Sequence, residues 1–534
     1  MGFLKRFTNF ILPSLSTTFL LLVLILFLNS YAPFKREDFF NLFLILLPFY
    51  AFLSFFLTFL MTEFLSFLFE TTFVKNFFNA KLVASLLSVT SIAIGILYIL
   101  NSCYFSIYII PEVLKKINYW GFFLIVFGAF SLFLIFRSKI PSFIYIIFYL
   151  VIFSFMFLSS KERHLLEAHS TSVGFERIRG QRVIVLEMDG LTLDFIAPLT
   201  SEKKLPNFSH VMENGSWGMV KNFRPQDKTT LFASFQTGKY PYKHKIFESC
   251  YQFKGVTSCL SFLPRFVFLY KLEIFGILEK KKVMSHAKGI ISVLNSSKHS
   301  FFLIEPSEVE ASSETLLRFK NIIGDFPKNP LTDILFDSFV KDESVFREAM
   351  NQKQKSEPLY LHAFFNGLDT IEHRFWRFSR PEQPLMGEEE NLPLYSMVIE
   401  RYYDYYDSII GSFLSSMKDD EILLIYSPHG MSPIPLWKRV INFIYGSEEI
   451  SAYHDNAPDG IAMFLGSSIN RNGLQGEFKI VDIAPTILYL MGFPVARDMD
   501  GNVIKRIIEP NTLQRNPIFF IRSYEGEISV ERKR

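Results

Sequence analysis

Cysteine is nearly absent from this chain. Cys103, Cys250 and Cys259 are the only 3 in 534 residues, and the spacing of Cys250 and Cys259 suits no zinc-finger pattern, so a metal bound by cysteines is not expected. A surplus of one charge is also missing. The formal net charge is +3, no segment carries a basic stripe, and a nucleic-acid polymer is therefore not an expected partner. Outside the N-terminal region there is no internal repeat and no long low-complexity tract. Inside that region, polar helix faces are what is lacking.

Phe, Leu and Ile fill roughly the first 160 residues instead. They form five apolar stretches of membrane-spanning length, at about Phe10–Leu28, Phe39–Leu60, Leu82–Leu100, Tyr119–Phe136 and Ile140–Leu158. The third could extend through Tyr104–Ile110. A soluble helical core would need polar faces, and these stretches have none. A cleaved signal peptide is not expected, given the length of the first stretch and the four that follow. The lipid bilayer is thus an expected partner. Lys5 and Arg6 favour a cytoplasmic N-terminus, with Lys75, Lys81, Arg137 and Lys139 on the same side and Lys35, Arg36, Lys115, Lys116, Lys161 and Arg163 outside, so the positive-inside bias is slight. This orientation predicts a multi-pass protein of the cytoplasmic membrane with its C-terminal part periplasmic or extracellular. In such an oxidising compartment Cys250 and Cys259 could close a small loop; two reduced thiols are the alternative. Cys103, near a membrane boundary, is read as unpaired.

After a polar connector at 161–180, without a clear strand, the remainder (181–534) reads as α/β. Arg182–Met188 is a β-branched run ending in Asp189-Gly190, a strand whose carboxyl end presents a carboxylate. Leu359–Phe365 is a second strand, delivering Gly367-Leu368-Asp369, and Glu421–Tyr426 a third, delivering Ser427–Met431. Gly460–Leu465 repeats the pattern after His454. Leu205–Gly215, Tyr402–Met417 and Asp482–Met491 have helical spacing, the last with Asp482 placed to cap its N-terminus and a proline in its first turn. Phe232–Thr237 is read as an early helix turn beneath the site. Alternating strands and helices predict a mostly parallel central sheet flanked by helices. The less regular stretch 248–342 is read as a cap or insertion.

Asp369 and His373 lie four residues apart in a segment that turns from strand to helix, which lets both side chains point the same way. SPHGM at Ser427–Met431 and YHDNAPDG at Tyr453–Gly460 each add a histidine. Carboxylates and imidazoles delivered from strand ends are what a zinc-type site needs, and imidazole ligands argue against calcium. Taken in order, these segments resemble the alkaline phosphatase superfamily, in its type I phosphodiesterase/nucleotide pyrophosphatase branch. The resemblance spans about Arg182 to Ile507 and includes Leu205-Pro-Asn-Phe, Asp482-Ile-Ala-Pro-Thr and Asp498-Met-Asp-Gly-Asn-Val.

The resemblance implies two zinc ions. One would be held by Asp369, His373 and His454, and that half of the site is complete. The other would take Asp189, an Asp-His pair and the nucleophile. His429 matches the His of the pair, but Pro428 stands where the family has Asp, so one donor is missing and the second zinc is in doubt. Family members also read Pro-x-x-Thr-Pro-Pro-x-Trp around the nucleophile, followed by Thr-Gly. Here the segment is Pro225-Gln226-Asp227-Lys228-Thr229-Thr230-Leu231-Phe232, then Thr237-Gly238. In register, the nucleophile position is Lys228, whose ammonium could stand roughly where the second zinc's charge would be. A shift of one or two residues would offer Thr229 or Thr230 instead; capping or surface roles are the alternative for both. Asp227 could also replace the lost carboxylate.

The resemblance implies a membrane-anchored, extracytoplasmic phosphodiesterase- or phosphatase-like metallohydrolase with an altered nucleophile half-site. A non-catalytic relative that binds a phosphorylated ligand or partner is a second expectation. A transferase of phosphate-bearing head groups between lipids and glycans is a third. The partner in every case is a phosphorylated small molecule, lipid or glycan.

Overall fold

A computed structural model of the chain describes residues 2–68, 78–137, 140–160, 173–176, 180–224, 227–282, 288–379, 392–435, 438, 450–454, 457–526 and 528–531. Lys75, Lys139, Lys161, Arg163, Pro225 and Gln226 lie outside these. The chain divides into two compact units, 1–167 with 241–285, and 168–240 with 286–534.

The first unit is built on helices α1 (Gly2–Leu28), α2 (Arg36–Leu46), α3 (Phe52–Leu68), α4 (Ala80–Tyr104), α5 (Pro111–Arg137) and α6 (Ser142–Ser160). A π-helical turn at Leu47–Ala51, carrying Pro48, joins α2 to α3. The described residues thus hold 5 helices long and apolar enough to cross a membrane, the second running over Arg36–Leu68. All five expected stretches fall on them. Large apolar side chains such as Phe52, Phe122 and Phe155 are exposed along them, a surface that water would not tolerate over this length.

Residues 241–285 belong to this unit rather than with the rest of the stretch 248–342, which was expected to form one insertion. Polar side chains at helix ends hold the segment. Asp38 accepts the Thr257 N–H at 2.7 Å and the hydroxyls of Thr257 and Ser258. Asn29 exchanges two hydrogen bonds with the Phe262 backbone, at 2.7 and 3.0 Å. Asn101 accepts the Arg265 N–H at 2.7 Å, and the Tyr50 hydroxyl donates to the Val267 carbonyl at 2.6 Å. Strands Ser249–Phe253 and Leu278–Lys282 pair antiparallel within the segment, and Cys250 is disulfide-bonded to Cys259. Cys103 is free.

The second unit is organised by a seven-stranded sheet among the described residues. Its strands are β1 (Arg182–Met188), β2 (Ser216–Lys221), β3 (Phe301–Ile304), β4 (Tyr360–Phe365), β5 (Glu421–His429), β6 (Asp459–Gly466) and β7 (Gly473–Lys479). Their order across the sheet is β7-β2-β6-β5-β1-β4-β3. β5, β1, β4 and β3 run parallel, as do β7 and β2, whereas β6 is antiparallel to both of its neighbours. This is the mostly parallel α/β domain expected.

Strand alternation divides the core between two faces. Ile184, Leu186 and Met188 of β1 join Leu361, Ala363 and Phe365 of β4 in a buried cluster with helices α8 (Pro330–Ser356), α9 (Gly367–Ser379) and α10 (Val398–Ser415). On the opposite face, His362 of β4 packs against Phe232 and Phe235 of α7 (Lys228–Thr237). Helix α11 (Ile483–Leu490) packs against α7 and β1.

Three local expectations change. The third strand does not stop at Tyr426 but runs through Pro428 to His429. Proline fits there because pairing with β1 ends at Tyr426, so that edge asks for no further N–H. Asp482 does not cap α11; its carboxylate accepts the N–H groups of Lys479 and Asn502, at 3.1 and 2.8 Å. And the connector carries a strand after all, Val173–Glu176, parallel to Ile528–Glu531. Four residues pairing with a segment more than 350 positions away leave no local periodicity to read.

Candidate metal centre

The carboxyl ends of β1, β4 and β5 bring the candidate residues together. Asp189 follows β1 directly. The chain turns away at Gly190, whose φ of +94° suits glycine, and where a Cβ would meet a Glu372 carboxylate oxygen at 2.8 Å. After β4, Asn366 leads into α9, which carries Asp369 in its first turn and His373 one turn on. His429 ends β5, and His454 lies in the loop before β6.

The start of α9 is fixed from beneath by Asp342 of α8. Its carboxylate accepts the N–H groups of Asn366 and Gly367 and the hydroxyls of Tyr402 and Tyr406, at 2.8–3.2 Å. A Cβ at position 367 would lie 2.2 Å from that carboxylate and closer still to the Tyr402 hydroxyl, so only glycine lets the three approach. Burial pushes the Asp342 carboxyl up to about 7, against the pull of its four donors.

Around Asp369 the hydrogen bonds decide the tautomers. His373 Nδ1 lies 2.6 Å from the Ala452 carbonyl and His454 Nδ1 3.1 Å from the Gly430 carbonyl. A carbonyl only accepts, so each Nδ1 carries a proton, and in the neutral ring each Nε2 keeps its lone pair. Those two Nε2 atoms face Asp369 Oδ1, at 3.8 Å from His373 and 3.0 Å from His454. Neither Asp369 Oδ1 nor His454 Nε2 has a hydrogen-bond partner. Two lone pairs and a carboxylate oxygen converging in a buried place repel one another unless a cation sits among them. Donors at ~2.0–2.2 Å from a tetrahedral metal stand about 3.3–3.6 Å apart, close to what is seen.

His429 joins this group. Its ring lies 3.8 Å from that of His454, its buried Nδ1 is unpartnered, and donor atoms of Asp369, His429 and His454 all fall within 4.8 Å of one another. Burial, helped by the neighbouring His454, pushes His429 down to about 3, and burial also lowers His373. Both imidazoles are therefore neutral and free to donate. Burial opposes ionisation of Asp369, but the Lys228 ammonium, 2.9 Å from its Oδ2, counters it and the carboxyl is held well below the usual carboxylate range. The residues fit a metal of the kind that takes nitrogen and oxygen donors.

Lys228, the first residue of α7, enters from the other side. Its stem is half exposed, but its ammonium faces inward to Asp189 Oδ2 at 3.0 Å, Asp369 Oδ2 at 2.9 Å and Asn366 Oδ1 at 2.6 Å. Burial disfavours the charge on Lys228, yet the two carboxylates prevail and raise its pKa above the ordinary lysine value. Asp189 moves the other way: burial raises its pKa although Lys228 opposes this, and its Oδ1 is unpartnered. Asp227 caps α7, accepting the N–H groups of Thr229 and Thr230 at 3.3 and 3.1 Å, so its oxygens serve the helix. The Thr230 hydroxyl is fully buried and bonded to the same carboxylate. Thr229 is exposed on the first turn.

Beneath Asp189 runs a buried polar chain. Gln236 donates to the Tyr360 hydroxyl (3.3 Å), which lies 2.9 Å from His362 Nδ1, while His362 Nε2 lies 2.8 Å from Glu187. Sequence reasoning missed this chain, and Asn366 and Asp342 as well. Asn366, adjacent to the Gly-Leu-Asp motif, was within reach of a closer reading; Asp342 and the Glu187–His362 pair left no local trace.

The model of the type I phosphodiesterase / nucleotide pyrophosphatase family matches residues 183–467, more than half of the chain and every residue of the cluster. The chain belongs to the type I phosphodiesterase/nucleotide pyrophosphatase family. Among solved structures, this family member is similar to murine ectonucleotide pyrophosphatase/phosphodiesterase 5, in an inactive variant bound to AMP, at 13% identity and a TM-score of 0.38, covering 62% of this chain and 100% of that one. The human protein of the same name gives 13% identity and a TM-score of 0.37, covering 63% and 99%. No curated protein matches the chain.

Proposed function

We propose that this family member holds one metal ion, zinc by the chemistry of its donors, at Asp369, His373 and His454 with His429 alongside, and binds a phosphorylated ligand there without forming a phospho-enzyme. The observation that carries the reading is the pair of imidazole lone pairs turned toward Asp369 Oδ1. A metal in that place supplies Lewis acidity toward a phosphoryl oxygen. The protein's own part is to fix the imidazole tautomers through the Ala452 and Gly430 carbonyls and to hold Asp369 ionised.

The nucleophile position offers an amine already committed to two carboxylates, and Thr230 spends its hydroxyl on Asp227. Neither supports covalent transfer of a phosphoryl group. A second reading, hydrolysis with a shifted nucleophile, draws support from Thr229, exposed on the first turn of α7 next to Lys228. The apolar helices support anchoring in the cytoplasmic membrane, and the disulfide supports a periplasmic or extracellular location for the segment that carries it.

The test uses the full chain in detergent micelles, with metal content, phosphate binding and turnover of bis-p-nitrophenyl phosphate measured together. One metal per chain is expected, lost together with phosphate binding in His373→Ala, and no turnover. Unchanged metal content in His373→Ala would sink the site assignment. Turnover that disappears in Thr229→Ala would establish the hydrolase instead.

A further inference from the structure

We propose that Lys228 is a resident cation standing in for a second metal ion, so that this site is built for one metal and no more. The inference rests on the metal-binding reading above and concerns the other half of the same cluster.

An ammonium has three protons to donate. Lys228 places all three on oxygens from separate segments: Asp189 after β1, Asn366 after β4 and Asp369 in α9, at 2.6–3.0 Å. None is left for a ligand, which separates this lysine from one that merely attracts an anion. Asp369 divides its carboxylate, turning Oδ1 to the imidazoles and Oδ2 to the ammonium. It therefore stands between two cation positions, of which one is filled by the protein itself.

The surroundings agree. Asp189 is 8% exposed and gives its Oδ2 to the ammonium, so the charge of Lys228 is met by a buried carboxylate. Position 428, next to His429 on β5, is proline and contributes no side-chain donor. A divalent ion added beside Lys228 would meet a fixed like charge, and position 428 supplies no carboxylate to offset it. With one metal in place, the charge of Lys228 already balances Asp189 and part of Asp369. The alternative is a surface lysine that has folded onto vacant carboxylates and would yield to an incoming ion.

Metal stoichiometry separates the two. The full chain in detergent is stripped with a chelator, titrated with zinc, freed of loose ion and analysed for zinc per chain. Wild type is expected to stop at one equivalent however large the excess. Lys228→Thr combined with Pro428→Asp is expected to reach two. Because an aspartate in β5 risks misfolding, Lys228→Ser alone is measured as well, and it is expected to pass one equivalent when zinc is in excess. Two equivalents in wild type would overturn the inference. So would one equivalent in both variants while His373→Ala still removes it, and that result would leave the metal-binding reading intact. A chain that takes up no zinc in any form would overturn both.

Discussion

Asp342 touches no ligand position, yet it sets where Asp369 stands, because it holds the two N–H groups that open α9. Its carboxyl is pushed up to about 7 from an ordinary 3.8, with burial as the cause. The sign follows from linkage: the folded state favours the protonated form, so this contribution is complete below the ordinary value and is lost as pH rises through about 7. Wild type should therefore lose thermal stability between roughly pH 4 and 7 through this group, and Asp342→Asn should flatten that part of the curve while weakening the hold on α9. Tryptophan-fluorescence melts of the full chain across that range decide it; equal slopes would remove the claim. At this scale the legible residues were those within one turn or at a strand's end, such as Asp369, His373 and Asp189. Asp342 was not, since its partners lie 24 or more positions away and nothing in its own segment is unusual.

At the scale of the element, α7 decides the character of the site. Its cap, Asp227, directly precedes Lys228 and aims the first turn by satisfying the N–H groups of Thr229 and Thr230. Replacing Asp227 with Ala should cost about 1 kcal/mol of stability, as loss of an N-cap does. The drop in thermal midpoint should be recovered in Asp227→Ser and Asp227→Asn, which keep an acceptor; equal losses in all three would place the role elsewhere. Strands and helices were legible here from alternation and helical spacing. Their ends were less so. Asp482 sits where a cap belongs, but Lys479 and Asn502 compete for its oxygens, and β5 runs past Tyr426 because its edge there needs no donor.

For the molecule as a whole, the five apolar helices were the plainest signal, since a long run without polar residues declares itself with no reference to anything else. Family membership was nearly as plain, because the match extends over most of the second unit. The company kept by 241–285 was hidden: the asparagines and the aspartate that hold it lie more than 160 positions upstream. That segment also carries the disulfide, which gives a prediction on the whole chain. Denatured in SDS without reductant, the protein should take up one maleimide, on Cys103, and three after reduction. Three without reductant would place the segment in a reducing compartment.

The reversed strand β6 has a bearing on how the chain is wired. Sites on parallel sheets draw their residues from strand exits. His454 comes from an entrance, and it reaches the same rim only because Asp459 at the start of β6 pairs with His429 at the end of β5. Were β6 parallel, its 8 residues would carry that entrance to the opposite rim, about 26 Å away at ~3.3 Å per residue. The connection from β5 to β6 is thus a hairpin that leaves and returns at one rim. Residues can be gained or lost in it without shifting the sheet. One imidazole of the cluster thus rides on a loop rather than on a strand or helix of the sheet's frame.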